Sequence, residues 1–203
     1  ILEVGLGGRL DATNTINKNL ISIITTIGMD HKEFLGNSLS TIAKEKVGII
    51  KNKTKVISSK QNQIVRDIIL RKAKEQNSKC LMYSEDWKVQ GNTFLYNDFK
   101  INLSNLSLEG NHQYINASAA ILACLISKEL EIENLKLEKS INKIKWPGRL
   151  HKLRGKLSKQ YQDLDIWVDV AHNVLGFRSL ISWIESLKTI NPVFVIGLGI
   201  KKD

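Results

Sequence analysis

The chain has 203 residues, 42% of them hydrophobic, with a formal net charge of +10 and a pI near 9.6. That length suits one or two domains with a substantial core. The longest apolar run, around Leu20 to Ile27, is too short to cross a bilayer and no signal-peptide pattern is present, which excludes a membrane partner and leaves a cytoplasmic protein as the expectation. Cys80 and Cys124 lie in unrelated segments without metal-ligand spacing, so they read as core fillers in a reducing compartment. The lysines are scattered and no basic patch is interleaved with aromatics, so no nucleic-acid partner is expected.

Ile1, Leu2 and Val4 form an apolar run of strand type around Glu3, followed at once by Gly5, Gly7 and Gly8. A carboxylate on or beside a core strand needs a cation or hydrogen bonds, and a hard metal ion is one such partner. The glycines equally suit a tight turn, and Asp11, Thr13 and Asn14 continue as a polar loop in which Asp11 reads as turn chemistry or a helix cap. The run Leu20 to Ile27 repeats the arrangement, delivering Gly28, Met29, Asp30 and His31 where an open α/β sheet collects its ligands.

Further on, Asn37 or Ser38 caps a helix through Leu39, Ile42, Ala43, Glu45 and Lys46, ending near Gly48. Lys55 to Ser59 reads as a strand, Ile64 to Ala73 as a helix and Cys80 to Tyr83 as another strand. Trp87 to Leu108 alternates in short runs with turns at Gly91-Asn92 and Asn97-Asp98, the signature of a small antiparallel excursion. Gly110 opens a long helix, a second helical segment runs from Leu135 to Ile144, and Pro147-Gly148 breaks the chain before a strand at Arg149-Leu150. Beyond it, strand Ile166 to Val170, helix Leu175 to Leu187 and strand Val193 to Ile200 read as one right-handed βαβ unit. Alternating strands and helices give an α/β fold with a largely parallel sheet.

The strings LEVGLGGRLDATN, IGMDHKEFLG, IAKEKVGIIK, EGNHQYINASAAILA, WPGRL and VDVAHN, in that order, resemble the folylpolyglutamate synthase and dihydrofolate synthase family, a branch of the ATP-dependent Mur-type ligases. The resemblance implies a P-loop-type central ATPase domain over residues 1–147, incomplete at its N-terminus, and the beginning of a Rossmann-like C-terminal domain over residues 148–203. The family carries a TxGKGS-type phosphate loop well upstream, and no G-x-x-x-x-G-K-[ST] string occurs here. A fragment of a longer protein, or a decayed gene product, is the corresponding expectation.

By the same resemblance, Glu3 and His31 stand around magnesium. Lys46 occupies the position of a lysine the family can carbamylate, which would make it an oxygen donor to a second metal. Asp11, Thr13 and Asn14 lie on the acid-substrate side. Asn116 reaches the nucleotide with His112 and Gln113 nearby, Arg149 binds its phosphates, and Asp169 and His172 face ATP across the cleft as catalytic and cofactor-binding residues together with Lys46. Against these stand plainer readings: His31 hydrogen-bonded in a turn, Asn116 as a capping amide, Arg149 as a strut at a domain junction. Lys44 is the better candidate than Lys46 for an ordinary solvated lysine. In VDVAHN, Val170 replaces a family glycine, and a turn that required positive φ there would be distorted.

The implied activity joins L-glutamate to a folate or dihydropteroate carboxylate through an acyl phosphate, using ATP and Mg2+, in a monomer. These 203 residues alone are expected to be inactive. The alternatives are a non-catalytic relic or basic binding module of the same fold, and a peptidoglycan Mur ligase, which the folate-type string GLGGRLDATN disfavours.

Overall fold

The structure, a computed structural model, describes residues 1–127, 134–187 and 191–199. Its centre is a parallel sheet of β1 (Ile21–Ile24), β2 (Lys55–Ser58) and β3 (Lys79–Met82), in that order. Successive residues of a strand face opposite sides, and burial follows the alternation. Val56 packs with Ile24, Val65 and Ile69 on one face, while its neighbour Ile57 joins Leu81, Ala119 and Leu122 on the other.

After β1, a single turn α1 (Lys32–Leu35) leads into α2 (Leu39–Lys46); α2 and α3 (Gln63–Glu75) supply the side chains that cover the first face. α4 (Asn111–Ile126) covers the second. A sheet covered on both faces explains why its strands read as nearly continuous apolar runs. Ser38 caps α2 through a reciprocal bond with Thr41, and the Asn62 side chain accepts from Ile64 N to start α3.

Between β3 and α4 an antiparallel meander, β4 (Trp87–Gln90), β5 (Thr93–Tyr96) and β6 (Phe99–Asn102), turns at the two sites expected from sequence. Trp87 and Phe94 are buried edge to face, 6.3 Å between ring centroids, beneath α4. The remainder comprises α5 (Asn134–Ile141), β7 (His151–Lys152), α6 (Lys156–Gln160), β8 (Trp167–Val168) and α7 (Val174–Ser186). Both cysteines are partly buried free thiols. Burial pushes the Cys80 thiol up to about 12, which keeps it inert as a nucleophile. No helix among the described residues is long and apolar enough to cross a membrane.

Three expectations are corrected. Residues 1–4 form no strand: among the described residues nothing pairs with them, so Ile1, Leu2 and Glu3 stand exposed and Glu3 is not a buried carboxylate. The strand placed at Arg149-Leu150 begins two residues later, at His151, because Leu150 adopts φ 43°, outside strand geometry. The βαβ unit is not formed among the described residues: β8 pairs antiparallel with β7, and residues 193–199 are irregular and largely exposed, with Ile200 outside the described set. An apolar run becomes a strand only where a neighbour takes its ladder hydrogen bonds, and none of the described strands does so.

Gly48 is a point of close backbone approach: a Cβ there would stand 2.5 Å from Arg9 Cβ and 2.6 Å from Arg9 Cα. Gly48→Ala should destabilise the chain by about 2 kcal/mol in urea unfolding, because backbone must move to admit the methyl. Gly5→Ala, whose Cβ would meet Asp11 Oδ2 at an ordinary 3.6 Å, should stay within about 0.5 kcal/mol of the unmodified chain.

Candidate functional site

The loop that leaves β1 and the segment that enters α7 meet at one carboxylate. Asp30 Oδ2 accepts from Asn173 Nδ2 at 2.8 Å and lies 3.3 Å from His172 Nε2 and 3.7 Å from His31 Nε2. Asp30 Oδ1 accepts the backbone N–H of His31 at 2.9 Å. His31 enters α1 in the left-handed region, φ 51°, a conformation histidine tolerates better than bulkier residues. A hydrogen bond to a charged group of this kind contributes about 1.5–3 kcal/mol.

Lys46, at the end of α2, lies within electrostatic reach of the same carboxylate: burial pushes its ammonium below the ordinary value while the charge of Asp30 pulls it back up. Lys44, two residues earlier, is exposed, so the contrast expected between the two lysines holds. His172 is oriented at its other nitrogen by Val170 O, 2.9 Å from Nδ1; the carbonyl only accepts, so Nδ1 donates to it. The approach is close because position 28 is glycine: a Cβ there would stand 2.3 Å from Leu175 Cδ1.

Asp169 works beside this centre. Its Oδ2 accepts from Leu150 N and its Oδ1 from Ala171 N, both at 2.8 Å, so it clamps the neighbour of Arg149 to the neighbour of His172. Val170 does not take a positive φ; it donates to Gly148 O at 2.9 Å, so valine leaves this turn undistorted. His112 lies within electrostatic reach of both Asp169 and Arg149. Burial pushes its pKa down, Asp169 opposes that and Arg149 adds to it, and its buried Nδ1 has no hydrogen-bond partner among the described residues. Arg149 itself is exposed, its backbone N donating to Trp146 O at 3.3 Å.

The other expected residues stand apart from this centre or serve the loop frame. Asp11 accepts from Gly5 N and Leu6 N at Oδ2 and from Thr13 N and Thr13 Oγ1 at Oδ1, so it is both the cap of a 3-10 turn over Ala12–Thr15 and the knot of the glycine loop. Asn14 Nδ2 donates to Arg9 O and Gly48 O, tying that loop to the end of α2. Asn116 is exposed on α4 and donates to Gln113 Oε1 at 3.2 Å; it caps nothing, since the helix N-cap is Gly110 without a side-chain bond. Glu3 forms no ion pair among the described residues.

Glu3, His31 and Lys46 are the residues that the family resemblance assigns to magnesium. Magnesium takes oxygen ligands, and at this point the chain offers one carboxylate, Asp30, already engaged by Asn173; no group of three potential metal-ligating side chains forms among the described residues. Sequence reasoning assigned no role to Asp30 or Asn173. The signals existed, an acid directly before His31 and an asparagine that caps α7, accepting from Gly176 N at 2.9 Å, but only the fold turns the two side chains toward each other.

No protein-family model matches the chain. It is 36% identical, over 100% of its length, to the dihydrofolate synthase/folylpolyglutamate synthase of Buchnera aphidicola subsp. Schizaphis graminum, of which it covers 46%. Among solved structures, an FPGS-AMPPCP-folate complex matches with a TM-score of 0.82 at 27% identity, over 92% of this chain and 46% of that one. E. coli FolC in complex with DHPP and ADP matches with a TM-score of 0.76 at 26% identity, over 93% and 43%. The chain spans about half the length of the curated relatives it matches.

The glycine-loop knot has a pH signature. Its hydrogen bonds, the Thr13 hydroxyl foremost, then Leu6 N, Thr13 N and Gly5 N, hold the Asp11 carboxyl at about 2, below its ordinary 3.8. A depressed folded-state pKa stabilises above the unfolded value and is lost as pH falls through the folded one. Asp11→Asn should therefore lower the urea midpoint at neutral pH, and its deficit should shrink between pH 3.8 and about 2. An unchanged deficit across that window would contradict the assignment.

Proposed function

We propose, for a chain that belongs over its whole length to the family of dihydrofolate synthases and folylpolyglutamate synthases, that it carries the nucleotide-facing half of an ATP-dependent ligase. The reaction joins L-glutamate to a folate or dihydropteroate carboxylate. The observation that carries the reading is the meeting of two distant segments at the carboxyl end of β1, where ligands of open α/β sheets bind. It is supported by relatives that include an FPGS-AMPPCP-folate complex and a FolC structure with DHPP and ADP.

An amide forms from a carboxylate only if oxide is replaced by a better leaving group. Phosphoryl transfer from ATP makes the acyl phosphate, and the glutamate amine then displaces phosphate. Negative charge grows on phosphoryl oxygens in both steps, and positioned cations stabilise it without moving a proton. Arg149 is assigned to the phosphates, since guanidinium matches their oxygens bidentately and its place beside Pro147-Gly148 suits a group that closes over ATP. His172 offers an imidazole to the same oxygens. Asp169, with both oxygens engaged, fixes the backbone between those two residues. Asn116 is assigned to the nucleotide, and Asp11, Thr13 and Asn14 to the loop on the acid-substrate side.

Lys46 is assigned to the centre as a cation that burial makes less basic, which also favours its carbamylation. Magnesium enters the proposal through Glu3, His31 and a carbamylated Lys46, and no step of the scheme above is routed through it. The proposed division is residues 1–147 as the central ATP-binding domain and residues 148–203 as the start of a Rossmann-like domain, in a cytoplasmic monomer.

The 203 residues alone should show no glutamate ligation, because no Walker-type loop occurs among them. Grafted in place of the corresponding half of a full-length relative, they should restore folate-dependent ADP release. Arg149→Ala in that graft should cut kcat/KM for ATP by about 100-fold or more. Folate-dependent phosphate release by the isolated chain, or a fully active Arg149→Ala graft, would overturn the proposal.

A further inference from the structure

Asn173 uses both ends of its amide. Its Oδ1 accepts from Gly176 N at 2.9 Å and so caps α7, leaving Nδ2 as the donor to Asp30 Oδ2 at 2.8 Å. The same carboxylate lies 3.3 Å from His172 Nε2. Two independent contacts seat the same segment on the first lobe. Leu175 fills the space that a Cβ on Gly28 would occupy, and the Trp183 indole Nε1, farther along α7, donates to Glu109 Oε2 at 3.4 Å. The docking thus extends along one side of the helix, with Asp30 at the end that carries His172.

We infer that Asp30 is a positioning residue: the fixed acceptor on the loop after β1 that sets where His172 and the start of α7 sit relative to the first lobe. His31 Nε2 also lies 3.7 Å from the same carboxylate, so its charge ties both imidazoles into one arrangement. Asparagine at position 173 is the residue this geometry calls for. Aspartate would cap α7 equally well but would oppose a second carboxylate to Asp30 and offer no donor. What is positioned, a phosphate-facing His172, rests on the proposed function; the docking itself does not.

The test is amide hydrogen exchange on the full chain without nucleotide. Asn173→Asp keeps the cap and should accelerate exchange in residues 174–187 about tenfold while residues 55–82 are unchanged. Asp30→Asn combined with Asn173→Asp moves the donor to the other side of the same bond, and should bring residues 174–187 back to within about twofold of the unmodified chain. That reciprocal rescue distinguishes pairing from a general loss of stability. Exchange unaffected by Asn173→Asp would overturn the inference. So would a double variant as fast as the single one, including the case where Asn173→Asp loosens the whole fold. If the rescue holds while the nucleotide assignment of His172 fails, the docking stands and the ligase reading falls.

Discussion

A half-buried carboxylate shared by two distant parts of the chain is the constraint on which the rest of this structure depends. Asp30 lies in the loop after β1, His172 and Asn173 reach it from the far side of the Pro147-Gly148 break, and Lys46 at the end of α2 lies within its electrostatic reach. A carboxylate taken partly out of water is costly unless its lone pairs are used, so these partners are tied to one place. Other contacts reinforce it: Leu150 is buried against Gly110, and Trp183 on α7 donates to Glu109.

The parallel sheet makes that arrangement available. With both faces covered, by α2 and α3 on one side and α4 on the other, the loop after β1 leaves at the carboxyl edge of the sheet beside the end of α2. The glycine loop is wedged against the same helix end: a Cβ on Gly8 would stand 2.8 Å from Glu45 O, and Arg9 N donates to that oxygen at 2.8 Å. Asp11 then knots the loop with four hydrogen bonds. Rigid surroundings of this kind hold the end of α2, and so Lys46, in a defined place. On the other side, Asp169 joins the backbone next to Arg149 to the backbone next to His172. The result is a set of charged groups fixed by backbone bonds, which is what stabilising a developing phosphoryl charge requires.

Most of the elements were legible in the sequence because local signals suffice for them. The Ser38 and Asn62 caps, the period of α3, and the Gly91-Asn92 and Asn97-Asp98 turns each state a local preference that the fold obeys. What failed were strand assignments made from apolar runs alone. The runs Ile1 to Val4 and Val193 to Ile200, the latter described through residue 199, are rich in strand-forming residues, but pairing is a property of the neighbour as well as of the segment. The site was half legible. His31, Lys46, Asp169 and His172 were found as motif residues. Asp30 and Asn173 were not, because nothing local in either says that residues 143 positions apart share a hydrogen bond. Val170 shows the same limit from the other side, since its turn does not call for the glycine conformation the family pattern suggested.

Disulfide trapping measures directly whether the loop after β1 and the entry to α7 are mated in solution. A cysteine Cβ at position 28 would sit where Leu175 now packs, 2.6 Å from its Cγ, so Gly28→Cys with Leu175→Cys places two thiols within bonding reach once the leucine is gone. The Cys80 thiol, pushed up to about 12 by burial, does not compete at neutral pH. Mild oxidation should give one intramolecular disulfide joining residues 28 and 175, found by peptide mass. Thiols at both positions that stay free under the same oxidation, in a folded chain, would contradict the account.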